Sequence, residues 1–594
     1  MVRAVEHESF YATGVVSDDR AGVHVGWAGH GDRFPNGLPL VSQSGEITAV
    51  VVGQLFGEAC DLASQTRDSA WVALADALDA DDRRAEHQLR SLNGWFAGVL
   101  IDANRGTCAL FNDRYGMHRL FYSQSAHGAY FASEAKALLA VLPETRAFDP
   151  TGLAEFASCG CTLGEQSLFR GVRVLPGASL LRFVGTASPR RRQYFDRAEW
   201  EARSALRVPE FTSRFVEAFV RIVPTYVPKD VSAAVSLTGG LDSRMVLAAA
   251  AAAPGTLPCY TFGSEHRDTL DVVVSRQIAA RCGQPHYVVT LGSDFRGALP
   301  GLIEKSVSLS DGYLGLSGAA EVFANAAVRR IASVRLTGNY GGESLRGVRA
   351  FDCDTSLGRL FAPELRGQFT SAALTFHQQA AGMPGPSFAV FHQAPHQGYG
   401  RLAIESSQVV PRTPFFDNEL IELCYQSPRD FDGLALAVAV LSVCQPALLD
   451  VPTDRGVLGT GGPVRRSVRR AVREGLFKAE YLASHGMPDF LVRRAALRRW
   501  LGLEKRLLGR HKFYHLRSLL RDDLEAYVRD TLSSRGPALG SYFDQKAVAT
   551  VLDEHYSDRR NHTGAIDTML TIAVTHRNLL APISPWGGGT PRKH

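Results

Sequence analysis

The chain has 594 residues, of which 45% are hydrophobic and 21% charged, and its formal net charge is +5. At roughly 100–200 residues per domain this length predicts two to four domains. The composition is that of an ordered globular protein, and the small net charge does not argue for nucleic-acid binding. The charge is nonetheless uneven: residues 464–517 hold 15 Arg or Lys and 4 Asp or Glu, a local +11 that leaves about −6 for the rest. Such a stretch is either a set of solvated helix faces or a basic wall beside an anionic substrate. Nine cysteines are scattered without a framework; Cys159 and Cys161 flank one glycine, and no second pair follows at zinc spacing. Unpatterned thiols suit a reducing compartment. The start, MVRAVEHESF, carries acids and no long apolar core, and the longest apolar run, Met245 to Pro254, is too short to cross a bilayer. A cytoplasmic protein with no membrane partner is expected.

In chain order, residues 1–185 read as short antiparallel strands punctuated by Gly, Asn and Asp: Ile47–Val52, Phe96–Ile101, Thr107–Asn112, Leu120–Ser123 and Leu180–Phe183. A polar stretch over 186–210, with Arg190, Arg191 and Arg192 in a row, reads as a linker. From about Val231 short apolar strands alternate with helices. The strands are Ser232–Leu237, Leu257–Phe262, His286–Leu291 and Val334–Thr337; the helices include Ser243–Ala253 and Leu270–Cys282. That alternation predicts a parallel α/β sheet. Beyond about Leu357 the pattern is helical, so residues 211–594 form one α/β domain with a helical C-terminal part.

The strongest local signal is Ser236-Leu237-Thr238-Gly239-Gly240-Leu241-Asp242-Ser243, between a strand and a helix. A helix N-terminus offers unpaired N–H groups and partial positive charge to a phosphate. Adjacent glycines let the backbone close on an anion. Hydroxyls at Ser236, Thr238 and Ser243 can donate to phosphate oxygens, and Asp242 needs a Mg²⁺ between itself and phosphate. The lysine of the kinase and GTPase P-loop is missing. The residues instead resemble the PP-loop, Ser-Gly-Gly-x-Asp-Ser, in which ATP is cleaved to AMP and pyrophosphate as a substrate carboxylate becomes an acyl-adenylate.

Further motifs narrow the family. Leu92-Asn93-Gly94-Trp95-Phe96, Asp113-Arg114-Tyr115-Gly116 and Phe131-Ala132-Ser133-Glu134-Ala135-Lys136-Ala137-Leu138 resemble the series found in class II glutaminase domains. Ser310-Asp311-Gly312, Leu336-Thr337-Gly338-Asn339-Tyr340-Gly341-Gly342-Glu343 and Arg412-Thr413-Pro414-Phe415-Phe416-Asp417 resemble segments of the asparagine synthetase family. Over about residues 45–460 the chain resembles that family. The resemblance implies an α+β N-terminal-nucleophile hydrolase-like sandwich over 1–185, followed by an α/β PP-loop domain. It also implies ATP with Mg²⁺, a small-molecule or peptide carboxylate as substrate, and ammonia or an amine as its partner. A homodimer is the candidate assembly.

The same resemblance distributes the site. Nucleotide falls to Ser236, Thr238, Gly239, Gly240, Leu241, Asp242, Ser243, Phe262 and Gly338; metal to Asp242 and Glu343; substrate to Asp311 and Arg412; catalysis to Glu343 and Arg455. Arg455 enters because the family's pyrophosphate-side lysine has no match here. Asp271, at a helix start, is either a ribose contact or an N-cap. His511, Lys512 and His515 cluster without metal-ligand spacing and read as core or surface residues. The departures carry equal weight. Class II glutaminases use an N-terminal cysteine and an Asn-Gly oxyanion element; here position 2 is Val2 and the expected element is Val52-Gly53. A glutaminase domain without its chemistry is therefore expected, with an amine taken from ammonia or from the substrate. Beta-lactam synthetases and lasso-peptide cyclases resemble this arrangement. Two alternatives stay open: a glutamine-hydrolysing asparagine synthetase, and a non-catalytic partner-binding homologue.

Overall fold

The computed structural model describes residues 1–31, 40–42, 44–56, 65–125, 128–185, 188–485, 487–493, 507–533 and 537–581. The first half is built on a six-stranded antiparallel sheet. Its strands are β3 (Leu40–Val41), β4 (Ile47–Leu55), β5 (Gly94–Asp102), β6 (Thr107–Asn112), β10 (Ser179–Val184) and β11 (Arg190–Gln193). Alternate residues of a strand point to opposite faces, and both faces here are apolar. Ile47, Ala49 and Val51 pack with Trp71, Leu74 and Leu78 of the helix Gln65–Ala80. Val50, Val99, Leu110 and Leu181 pack on the other side, with Val25 of the hairpin β1 (Tyr11–Asp18) and β2 (Val23–His30) and with Leu120. A small sheet of β7 (Phe121–Ser125), β8 (Gly128–Ala132) and β9 (Arg173–Val174) completes the second layer. This is the α+β sandwich expected, although helices at Gln65–Ala80, Asp82–Ser91, Ala135–Val141 and Pro150–Cys159 lie among the strands.

The stretch read as a linker is structured. Arg190–Gln193 pairs antiparallel with β10, and Arg191 and Arg192 form ion pairs with Glu165 and Glu86. A polar edge strand has one solvated side and needs no apolar signature. The helix Val208–Ile222 then begins inside the same stretch and buries Phe211, Phe215 and Phe219.

The second half is a five-stranded parallel sheet in the order β14 (His286–Leu291), β13 (Cys259–Ser264), β12 (Ala233–Ser236), β15 (Val334–Thr337), β16 (Val410–Arg412). Helices Asp242–Ala249 and Leu270–Arg281 are the first two connections. Strand order reverses at β12, and ligands of open α/β sheets bind beyond the carboxyl ends of strands at such a switch point. Helices Leu516–Asp522, Glu525–Ser533, Gln545–Tyr556 and Thr563–Thr575 share one core with Ala234 and Tyr260 of the sheet. Among the described residues no helix is long and apolar enough to cross a membrane.

One apolar core runs through both halves, joining Phe56, Trp95 and Tyr115 to Tyr226 and Phe416. Trp95 meets Phe416 at 5.7 Å and Phe56 stacks on Tyr226 at 4.9 Å. Polar contacts cross the same boundary, including Asn93 Nδ2 to Asp417 Oδ2 at 2.7 Å and Tyr115 OH to Asn418 Oδ1 at 2.8 Å.

Candidate active site

β12 ends at Ser236, and the helix Asp242–Ala249 starts six residues later; the loop between them carries Gly239 and Gly240. No side chain caps that helix, so its first-turn N–H groups are left for a ligand. Thr238 N–H donates to Ser243 Oγ at 3.1 Å and the two hydroxyls lie 3.1 Å apart, which closes the loop on itself. Gly240 N–H donates to Thr238 Oγ1 at 3.3 Å. Leu241 supplies the helical turn at the N-cap, with φ −87° and ψ −40°. Buried Arg244, the residue after the motif, donates to the carbonyls of Leu448 at 3.0 Å and Val451 at 2.6 Å and so holds segment 448–455 against the loop.

Ser236 takes a different part from the one expected. It is 9% exposed and Arg335 donates to its hydroxyl at 3.0 Å. Arg335 is in turn buried beside Glu405 at 3.0 Å. Ser236 thus fixes the floor beneath the loop.

The second glycine-rich segment meets the first. A Cβ on Gly338 would overlap the backbone of Ser243 and Asp242, so only glycine allows this approach. Tyr340 holds a left-handed φ of +68° and starts the short helix Gly341–Arg346. This helix carries Glu343 in its first turn and Arg346 in its last. Burial raises the Asp242 carboxyl above its ordinary range; Arg346 opposes the rise and Glu343 adds to it. Arg346 pairs with Asp242 at 3.3 Å. Asp242 and Glu343 are therefore close enough to feel each other's charge. Among the described residues no cluster of three candidate ligands could hold a metal by itself. Two carboxylates with phosphate oxygens suit Mg²⁺, which seldom has an all-protein cage.

On the opposite flank lie Asp271 and Asp454. The N-cap of the helix Leu270–Arg281 is Thr269, whose side chain accepts from Val272 N–H, so Asp271 is not the cap. Its Oδ1 accepts from Gly239 N–H at 2.8 Å. Asp454 N–H donates to Gly239 O at 3.2 Å, and a Cβ on Gly239 would come within 2.8 Å of Asp454 Cβ. Burial, then the Asp454 charge, raises the Asp271 carboxyl to about 7. Arg455 belongs to this flank. It pairs with Asp454 at 3.4 Å and Glu474 at 3.1 Å, and its guanidinium lies 3.2 Å from the centroid of Phe477. Phe262 on β13 packs against Phe513 at 5.4 Å, also at the carboxyl edge of the sheet.

Two residues assigned to substrate do other work. Asp311 is fully buried and accepts from Ala135 N–H (2.7 Å), Lys136 N–H (3.1 Å), Lys136 Nζ (3.4 Å) and Tyr399 OH (2.9 Å). Arg412 is also fully buried and donates to Gln54 Oε1 and to Tyr226 O, both at 3.1 Å. Both pin the first half of the chain to the second, and their polar atoms are spent on protein partners. The three glutaminase-like motifs serve the same boundary, through Asn93, Trp95, Tyr115 and Lys136. Glu134 sits in this network; burial works against its charge, but Lys136 and His7 hold its pKa at about 2. Sequence reasoning missed Arg244, Arg346 and Asp454. Arg244 and Asp454 adjoin residues already singled out, and Arg346 follows Glu343 by three positions.

Comparison with known proteins fits this division. Residues 34–195 match the family described as glutamine amidotransferase domain, and residues 214–409 match asparagine synthase. An amidase, chyE of Penicillium rubens, is 26% identical over 351 residues, 53% of this chain and 49% of that protein, so the chain spans about half the length of this curated relative. Among solved structures, a glutamine phosphoribosylpyrophosphate amidotransferase from B. subtilis, complexed with ADP and GMP, aligns at 11% identity. It covers 66% of this chain and 92% of its own, with a TM-score of 0.23. An NMN synthetase from Francisella tularensis aligns at 12% identity over 38% of this chain and 99% of its own, with a TM-score of 0.17. An amidotransferase segment followed by an asparagine synthase segment is the two-domain architecture of asparagine synthetases.

Proposed function

We propose that the protein is an ATP-dependent carbon–nitrogen ligase that activates a carboxylate as an acyl-adenylate, releases AMP and pyrophosphate, and passes the acyl group to ammonia or a substrate amine. The observation that carries this reading is the uncapped helix start at Asp242, at the strand-order switch point, with Gly338 packed against it. The uncapped N–H groups at the start of the helix Asp242–Ala249, with the Thr238 and Ser243 hydroxyls, grip the β- and γ-phosphates, and Gly239 and Gly240 let the backbone approach them. Asp242 and Glu343 would hold Mg²⁺, whose charge would neutralise that of the phosphates. Arg455 and Arg346 lend positive charge on the two flanks, and Glu343 is also placed to take a proton from the attacking amine. Incubation with ATP, Mg²⁺ and the acceptor carboxylate yields AMP and pyrophosphate; production of ADP and phosphate refutes the adenylate.

The amidotransferase domain, in this reading, no longer hydrolyses glutamine. A cavity of about 320 Å³ opens beside Val52 and Gly53, where the domain meets Tyr399 and Pro411 of the second half, and among the described residues its lining includes Met1 and Val2 and no cysteine. With no cysteine among the described lining residues, and with valine in place of the oxyanion asparagine, this cavity offers a glutamine amide neither a thiol nor that side-chain donor. The purified protein is expected to release no glutamate from glutamine, and saturable glutamate production would return the glutamine-dependent reading. A non-catalytic role is disfavoured by the intact loop, since a binding module has no physical need of it.

A further inference from the structure

Residues 509–515, beyond both family-matched segments, form a strap at the carboxyl edge of the parallel sheet. Fully buried Glu480 accepts from the N–H groups of Gly509 (2.7 Å), Arg510 (3.2 Å) and His511 (2.6 Å), and pairs with His515 Nε2 at 3.1 Å. Leu270 N–H donates to Arg510 O at 2.6 Å, so the strap is tied to the residue before Asp271, which itself holds Gly239. Phe513 packs on Phe262 at 5.4 Å.

His511 stands out within this strap. It is 7% exposed, yet neither ring nitrogen has a hydrogen-bond partner. Its ring stands edge-on to Phe477 at 5.5 Å and 88°, the same ring that carries the Arg455 guanidinium. Burial lowers its pKa; Glu480 and Asp454 pull the other way, and Arg455 and Arg473 add to the lowering. An anion arriving on the loop that Asp454 contacts would favour the protonated imidazole. Buried polar groups are rarely left unpaired, and an exception calls for an explanation, a bound ligand or a catalytic role among them.

We propose that His511 is a pyrophosphate-contacting residue, donating through its imidazole to a phosphate oxygen of the departing pyrophosphate. The inference rests on the adenylation reading above. In that step a substrate carboxylate oxygen bonds to the α-phosphorus. The bond from that phosphorus to the oxygen bridging it to the β-phosphorus breaks, and its electron pair stays on pyrophosphate. The imidazolium, protonated from solvent as nucleotide binds, gives its proton to this anion and is left neutral.

The test is calorimetric titration of the full chain with inorganic pyrophosphate and Mg²⁺ in two buffers of different ionisation heat. The wild type is expected to bind with proton uptake. His511→Gln is expected to bind about tenfold more weakly, the loss of one charge-assisted hydrogen bond, with that uptake gone and AMP affinity unchanged. Ser243→Ala, a loop control, also weakens pyrophosphate binding. Wild-type affinity and proton uptake in His511→Gln, with Ser243→Ala weakened, would overturn the assignment and spare the loop. Equal loss of AMP and pyrophosphate affinity, or unfolding of both His511→Gln and His511→Asn, gives the residue a structural role and also overturns it. Absence of pyrophosphate binding by the wild type, or binding indifferent to Ser243→Ala, removes the adenylation reading and this inference with it.

Discussion

Asp242→Asn lowers ATP-dependent turnover by at least ~100-fold, of order 3 kcal/mol in transition-state stabilisation. The carboxylate stands at the start of the loop helix beside Glu343, where triphosphate charge would otherwise meet it unscreened. Asparagine keeps the shape and one acceptor but cannot neutralise a divalent cation. The fold tolerates the change, because Asp242 pairs with Arg346 at 3.3 Å and both side chains are partly exposed. Such pairs contribute about 0–1 kcal/mol. The measurement is kcat for AMP formation together with a thermal melt. Near-normal turnover takes Asp242 out of the site; a collapsed melting temperature makes it a structural residue.

Removal of residues 1–185 yields an aggregating protein. The cut takes away Phe56, Trp95 and Tyr115, which cover Tyr226 and Phe416, and exposes a contiguous apolar face. It also strips Asp311 of its Ala135 and Lys136 donors and Arg412 of Gln54. The point variant Asp311→Ala probes the same boundary in the full chain. It leaves Lys136 buried with Glu134 and without its second carboxylate, and the loss is about 3–5 kcal/mol, the usual penalty of breaking a buried ion pair. Light scattering and size-exclusion chromatography read the truncation, and denaturant unfolding reads the point variant. A soluble, fully active fragment of residues 186–594 would show that the amidotransferase domain is dispensable to the ligase fold.

The Ser236–Ser243 loop was legible in the sequence because its physics is local. A strand, two adjacent glycines, an aspartate and a helix start within eight residues leave one arrangement, and the structure has β12 and the helix Asp242–Ala249 there. The strands at Thr107–Asn112, His286–Leu291 and Val334–Thr337 were legible for the same reason, as short apolar runs between turn residues. The edge strand Arg190–Gln193 was not, since its polar side chains pair with partners on other elements instead of filling a core.

What tertiary structure decided is which charged residues face a ligand and which face the protein. Asp311 and Arg412 have the residue types of a substrate clamp, but Asp311 accepts from the N–H of Ala135, 176 positions away, and Arg412 donates to Gln54, 358 away. No local pattern encodes a pairing at that separation. Asp271 and Asp454 likewise gain meaning only where the sheet and the helical extension bring them to either side of Gly239, and burial together with their mutual repulsion raises Asp271 to about 7. The sequence by itself determined the loop, the order of the two domains and the residue types available for chemistry. Long-range packing decided which of those residues are left with unsatisfied charge or hydrogen-bonding capacity to offer a substrate.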